Sequence, residues 1–244
     1  MSDFLPAHRQ TPYAVRMEWG PTGAAAVGDV GTAVVIDVLS FTTSVTVGVE
    51  RGMAIFPFRW RDERAEEYAA GVDAALARRR EDGLSPAALM YGRPAPRLVL
   101  PSPNGSTIAA GLVEAGVTVV AASLRNRGAV ARWLRARGGT VAVVPGGERW
   151  PDGSLRPAVE DLWGAGAVVA ALVDVGVEGL SPEARVAEAA FRAVEPRLAE
   201  ELAACAGGVE LADAGYRDDV RLAGELDASE VVPVLGADGA FTAG

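Results

Sequence analysis

Apolar residues along this chain fall into two recurring patterns. Short runs rich in Val, Ile and Ala are bounded by Gly, Pro and charged residues and read as strands. They lie at 14–18, 33–39, 54–58, 97–100, 118–122, 140–145 and 231–235. Between them, longer stretches carry apolar positions at helical spacing: 42–51, 61–80, 106–115, 128–137, 157–173, 182–193, 196–206 and 209–223. In 61–80, Tyr68, Val72 and Leu76 form one stripe on an otherwise charged helix. The stretch "LWGAGAVVAALV" from Leu162 is almost wholly apolar and predicts a buried helix. Its "GAGAVV" lies mid-helix, so it reads as close helix packing and not as part of a dinucleotide fingerprint.

Alternation of the two patterns predicts a three-layer α/β fold, with a mostly parallel (mixed) sheet and helices on both faces. The last apolar run, 231–235, reads as an edge strand returning to that sheet. One domain over 1–244 accounts for the length, with the Pro-containing segment 83–96 as the natural boundary between halves. No window is apolar over the ~18 residues of a membrane span. The first twenty residues are polar and lack a signal core, so a cytoplasmic protein without a membrane partner is expected.

Composition narrows the chemistry chiefly by what is missing. All 23 basic residues are Arg, so Schiff-base chemistry and a phosphate-loop lysine are excluded. The one His is His8, near the N-terminus, which removes Ser-His-Asp triads and His-based metal sites. The single Cys205 allows no internal disulfide, and Leu211 stands where a Cys-based phosphatase needs Arg. A net charge of −9 argues against nucleic acid as a partner. Catalysis is left to oxygen acids, hydroxyls, Arg, backbone amides or a metal held by oxygen, with Mg²⁺ expected and Mn²⁺ or Ca²⁺ as alternatives.

Ligands of open parallel sheets sit beyond the carboxyl ends of the strands. After 33–39 comes "DVLSFTTS", with Asp37, Ser40, Thr42 and Thr43; after 97–100 comes "PSPNGST", with Asn104, Gly105, Ser106 and Thr107. After 118–122 comes "SLRNRG", with Asn126 and Arg127; after 140–145 comes "GGERW", with Glu148 and Arg149, then Arg156, Glu160 and Asp161. Any one of these is explained by a helix cap, a turn or an i, i+4 surface pair. Four such loops on one inferred rim point instead to a small anionic ligand, cradled by the Asn104–Thr107 helix start and held by Arg127, Arg149 and Arg156. Asp37, Glu148, Glu160 and Asp161 form the pool of metal ligands and bases. Asp37 reads as a metal ligand or nucleophile, and Glu148 as a ligand or base. Tyr68, Trp133 and Trp163 read as core, and "RWRDERAEE" as a solvated helix face. A haloacid-dehalogenase-type phosphatase would need Asp at position 39, which is Leu39.

The stretches "VVIDVLSFTTSVTVGVERG", "SPNGST", "NRGAVARWL", "VVPGGERWPDGSLRPAVEDLWGAGA" and "GVELADAGYRDDVRLAGELDASEVVPVL" together resemble the 2-phosphosulfolactate phosphatase (ComB) family, in that family's order. The resemblance implies a Mg²⁺-dependent phosphatase that cleaves 2-phospho-3-sulfolactate, or a related 2-phospho acid, to 3-sulfolactate and phosphate, a step toward coenzyme M. The chain departs from the family at Ser40-Phe41, where Arg-Ala is common. A non-catalytic anion-binding or regulatory protein is the alternative, and would not need the clustered acids. A homodimer is the base-rate expectation for assembly.

Overall fold

The computed structural model describes residues 4–93 and 95–244; Pro94, in the expected boundary segment, and Met1–Asp3, in the segment read for a signal core, lie outside them. Among the described residues nine strands form one sheet in the order β1-β7-β2-β6-β10-β11-β3-β5-β4. They are β1 Val15–Met17, β2 Thr32–Ile36, β3 Ala54–Phe58, β4 Ala75–Leu76, β5 Arg97–Pro101, β6 Thr118–Ala122, β7 Val141–Pro145, β10 Pro233–Leu235 and β11 Phe241–Ala243; β8 Glu148–Arg149 and β9 Leu155–Arg156 pair apart as a hairpin. The helices are α1 Pro6–Arg9, α2 Gly20–Val27, α3 Phe41–Glu50, α4 Glu63–Gly71, α5 Pro86–Tyr91, α6 Gly105–Glu114, α7 Arg127–Arg137, α8 Val159–Asp174, α9 Pro182–Val194, α10 Leu198–Ala204, α11 Ala206–Asp213 and α12 Arg217–Ala223.

The central strands show why three layers form. All five residues of β2 are buried, as a parallel strand covered on both faces requires. Val34 and Ile36 join one core with Trp163, Val168 and Phe191, from α8 and α9. Ala33 and Val35, pointing the other way, join a second core with Ala24, Val45 and Ile108, from α2, α3 and α6. The glycines of α8 serve packing: a Cβ on Gly166 would stand 2.0 Å from Ala187 O on α9. No helix among the described residues is long and apolar enough to cross a membrane.

Two differences from the sequence pattern shape the site. The helix expected over 61–80 ends at Gly71, because Asp73 turns the chain at φ 48°. Leu76 then lies in β4 beside β5, and Arg80 in a short 3₁₀ turn, Arg80–Asp82. The run 231–235 does not make an outer edge. Its strand β10 pairs antiparallel with β6 and with β11, and β11 pairs antiparallel with β3. This hairpin is a seam between two parallel blocks, β1-β7-β2-β6 and β3-β5-β4. The strands therefore do not share one rim by simple parallel order. Twist of roughly 20–25° per pairing accumulates to on the order of 100° between β2 and β5. The loop after β5 reaches the loop after β2 directly: Gly105 N–H donates to Asp37 Oδ2 at 3.3 Å. The expected helices 196–206 and 209–223 are likewise divided, the latter into α11 and α12.

Candidate active site

A crevice of about 320 Å³ opens where five connecting segments and the start of α11 meet. Asp37 and Ser40 enter from the end of β2, Ser102 and Asn104 from the end of β5, and Glu148 and Arg149 from β8. Arg61 and Arg80 form another wall, and Gly207, Glu210 and Leu211 of α11 close it.

Asp37 is fixed by donors from both sides. Oδ1 accepts the Phe41 N–H at 3.2 Å, and Oδ2 accepts Gly105 N–H at 3.3 Å and Ser102 Oγ–H at 3.4 Å. Burial pushes its pKa up, and those three donors pull against it, with Glu160 adding a smaller upward push. The approach of α6 depends on Gly105, since a Cβ there would meet Phe41 Cδ1 at 2.2 Å. Thus the first free amide of the α6 N-terminus is already taken by a side chain of the protein.

Asp161 lies beneath Asp37 and is 3% exposed. Its Oδ1 accepts Val38 N–H at 2.7 Å and its Oδ2 accepts Gly147 N–H at 2.8 Å. It ties the loop after β2 to the loop after β7. Burial raises its pKa well above the usual carboxylate value, and the charge of Asp37 adds to the rise. Glu160, 4% exposed, is pressed against the start of α11, where a Cβ on Gly207 would stand 2.5 Å from its Oε1. Glu148 keeps access to water, but its carboxyl lies over this acidic floor. Desolvation there, then the charges of Asp37, Glu160 and Glu210, push its pKa up.

The other expected residues divide between this crevice and the scaffold. Asn104 lines the crevice and its Oδ1 accepts from Arg149 Nε at 3.1 Å. Ser106 is buried on α6 and its hydroxyl has no hydrogen-bond partner among the described residues. Thr42 and Thr43 lie under the loop, their hydroxyls given to Asp37 O at 2.9 Å and Val38 O at 2.7 Å. Thr107 donates to Pro103 O and lies on the α2 side of α6. Asn126 is fully buried and joins the Ser123 turn to Val231 O. Arg127 is committed to Glu195 at 2.9 Å and Asp227 at 3.1 Å and stacks over Phe191. Arg156 sits in β9 opposite Glu148 with its guanidinium over Trp150, and makes no ion pair with Glu160 among the described residues.

Trp163 is buried, whereas Tyr68 and Trp133 are half-buried at the margins of the core. Arg61, from the supposed solvated face, lines the crevice, and Arg80 does too. No local pattern marked them. Arg80 is brought in by the chain reversal at Asp73 and by its pairing with Asp219 of α12, both invisible to periodicity.

Mg²⁺ commonly binds through one or two carboxylates while keeping several waters. Among the described residues no three acid, His or Cys side chains gather as a ready metal cage. The donor set still suits Mg²⁺: Asp37 and Glu148 both face the crevice, and crowded carboxylates with raised pKa values are the groups a cation would relieve.

Two comparisons bear on this geometry. The sequence profile of the 2-phosphosulpholactate phosphatase family matches residues 22–238. A protein of Deinococcus radiodurans named "Probable 2-phosphosulfolactate phosphatase" is 30% identical over 214 residues, covering 83% of this chain and 87% of that protein. The chain belongs to the 2-phosphosulpholactate phosphatase family and is a phosphoric monoester hydrolase by that membership.

Proposed function

We propose that the crevice hydrolyses 2-phospho-3-sulfolactate, or a closely related 2-phospho acid, to the 2-hydroxy acid and phosphate. The observation that carries this reading is the facing of Asp37 and Glu148 by Arg61, Arg80 and Arg149 within one crevice. A substrate with three acid groups needs several guanidinium partners. Phosphoryl transfer needs charge neutralisation and an oriented nucleophile far more than covalent chemistry.

In this reading Asp37 is the principal Mg²⁺ ligand, held in place by Phe41, Gly105 and Ser102. The bound ion would supply positive charge to the phosphoryl oxygens. Arg149, steadied by Asn104, binds the phosphoryl group from the rim. Glu148 is the base: water reaches it, and burial with neighbouring acid charges raises its carboxyl pKa, which makes it a better proton acceptor. It takes a proton from the water that adds to phosphorus. It returns that proton to the ester oxygen as the P–O bond breaks. Ser102 and Asp161 hold the floor in register.

The test is phosphate release from 2-phosphosulfolactate and from 2-phospholactate, each with Mg²⁺, with EDTA, and in Asp37→Asn. Turnover that needs Mg²⁺ and is lost in the variant is expected. Binding without turnover on either compound would replace this reading by a non-catalytic anion-binding protein.

A further inference from the structure

One arginine of the crevice is fixed from beneath, unlike its neighbours Arg61 and Arg149, which are exposed. Arg80 is paired with Asp219 of α12, a carboxylate 1% exposed. Asp219 Oδ2 accepts from Arg80 Nη2 at 2.9 Å and from Nε at 3.3 Å. Its Oδ1 accepts from the Ser85 hydroxyl and from Ala87 N–H at 3.1 Å. The guanidinium also lies over the Tyr216 ring, 4.8 Å from its centre. Arg80 Nη2 then donates to Ser40 Oγ at 2.7 Å, three residues from Asp37.

The free valences are what make this arrangement useful. Nη1 of Arg80 and the hydroxyl proton of Ser40 are given to no described residue, and both belong to crevice-lining side chains. Arg80 makes no ion pair with Asp37 or Glu148 among the described residues, so it stands apart from the reacting acids. A guanidinium already ordered by a buried partner loses little freedom on binding, and its free Nη1 together with the Ser40 hydroxyl offers two kinds of donor to one oxyanion.

We propose that Arg80 and Ser40 bind a non-reacting acid group of the substrate, its carboxylate or its sulfonate, and that Asp219 and Ser85 are positioning residues for Arg80. This rests on the phosphatase reading above. It adds where substrate selectivity resides and ties it to α12, far from Asp37 in sequence.

The test compares three phosphate esters: 2-phosphosulfolactate, 2-phospholactate without the sulfonate, and 2-sulfoethyl phosphate without the carboxylate. Arg80→Gln is expected to lower kcat/KM on 2-phosphosulfolactate about 10- to 100-fold, mainly through KM, as for loss of a charge-assisted hydrogen bond. One of the two analogues, the one lacking the group Arg80 holds, is expected to lose far less, and so identifies that group. Asp219→Asn is expected to shift KM in the same direction, and the double variant to be no worse than Arg80→Gln alone. An equal fall on all three esters, no fall, or additive losses would overturn the proposal. Arg80→Lys, which leaves the buried Asp219 paired, guards against misfolding and is expected to keep the substrate ranking with a smaller loss. If the wild-type protein releases phosphate from none of the esters, the phosphatase reading fails separately. Calorimetry with 3-sulfolactate then decides: binding at least 10-fold weaker in Arg80→Gln supports the proposal, and unchanged or absent binding refutes it.

Discussion

Asp161 is the keystone of the crevice floor, and its removal should be felt in stability as well as in activity. In Asp161→Ala the amides of Val38 and Gly147 lose their acceptor in a buried place. An unsatisfied buried donor costs about 1–3 kcal/mol, so two cost on the order of 2–6 kcal/mol. For a chain of this size that lowers Tm by roughly 5–20 °C. A pH dependence follows in EDTA, where no cation offsets the carboxylates. The native Asp161 pKa lies above its ordinary value of 3.8, so over that interval the folded state keeps a proton the unfolded chain has released. Wild-type stability from this group therefore falls as pH rises from 3.8 to the native value and is level above it. The alanine variant lacks that slope. Thermal unfolding followed by circular dichroism at pH 5 and pH 8 should show a wider gap at pH 5. A Tm within about 2 °C of wild type, or a gap that grows with pH, would refute the assignment of Asp161 as a clamp between two backbone amides.

Three further outcomes are expected. Gly105→Ala forces a Cβ to within 2.2 Å of the buried Phe41 ring, which is itself edge-on to Phe241. It should cost about 1–3 kcal/mol by denaturant titration and depress activity by moving the Gly105 amide off Asp37. Arg127→Ala should lower stability by on the order of 1 kcal/mol, since its ion-pair partners are partly exposed, while KM stays unchanged; a raised KM would return Arg127 to the ligand. Cys205 is buried with its thiol pushed up to about 11, by burial and then by Glu160, so a disulfide reagent at pH 8 should titrate no thiol until denaturant is added.

What the sequence revealed and what it hid divide along physical lines. Asp37 and the Asn104-Gly105 pair were legible because a strand end followed by small polar residues is a local signal, and both proved to be neighbours. Asp161 was legible for its cost: an acid leading into a buried helix demands partners. The partners turned out to be backbone amides, which no composition argument distinguishes from a cation. Asn126 and Arg127 carry the same local signal at a helix start, yet Val231, Glu195 and Asp227 claim them. Those partners lie far along the chain, and only tertiary structure brings them near. Arg80 was hidden twice, once inside an apparent helix and once by Asp219, whose place is set by α12. The two-residue β4 and the three-residue β11 are too short to show any period.

The hairpin seam has a consequence for the order in which this molecule can be made. Synthesis proceeds from the N-terminus, so every strand of both parallel blocks has left the ribosome before β10 and β11 exist. Until then β6 and β3 present open edges, and open edges invite pairing with other chains. Phe241 closes against Ile55 across most of the sequence, a contact of the slow-forming, long-range kind. The nascent chain therefore carries two half-sheets that wait for their joining strands, and a stall before residue 233 leaves both edges exposed for as long as the stall lasts.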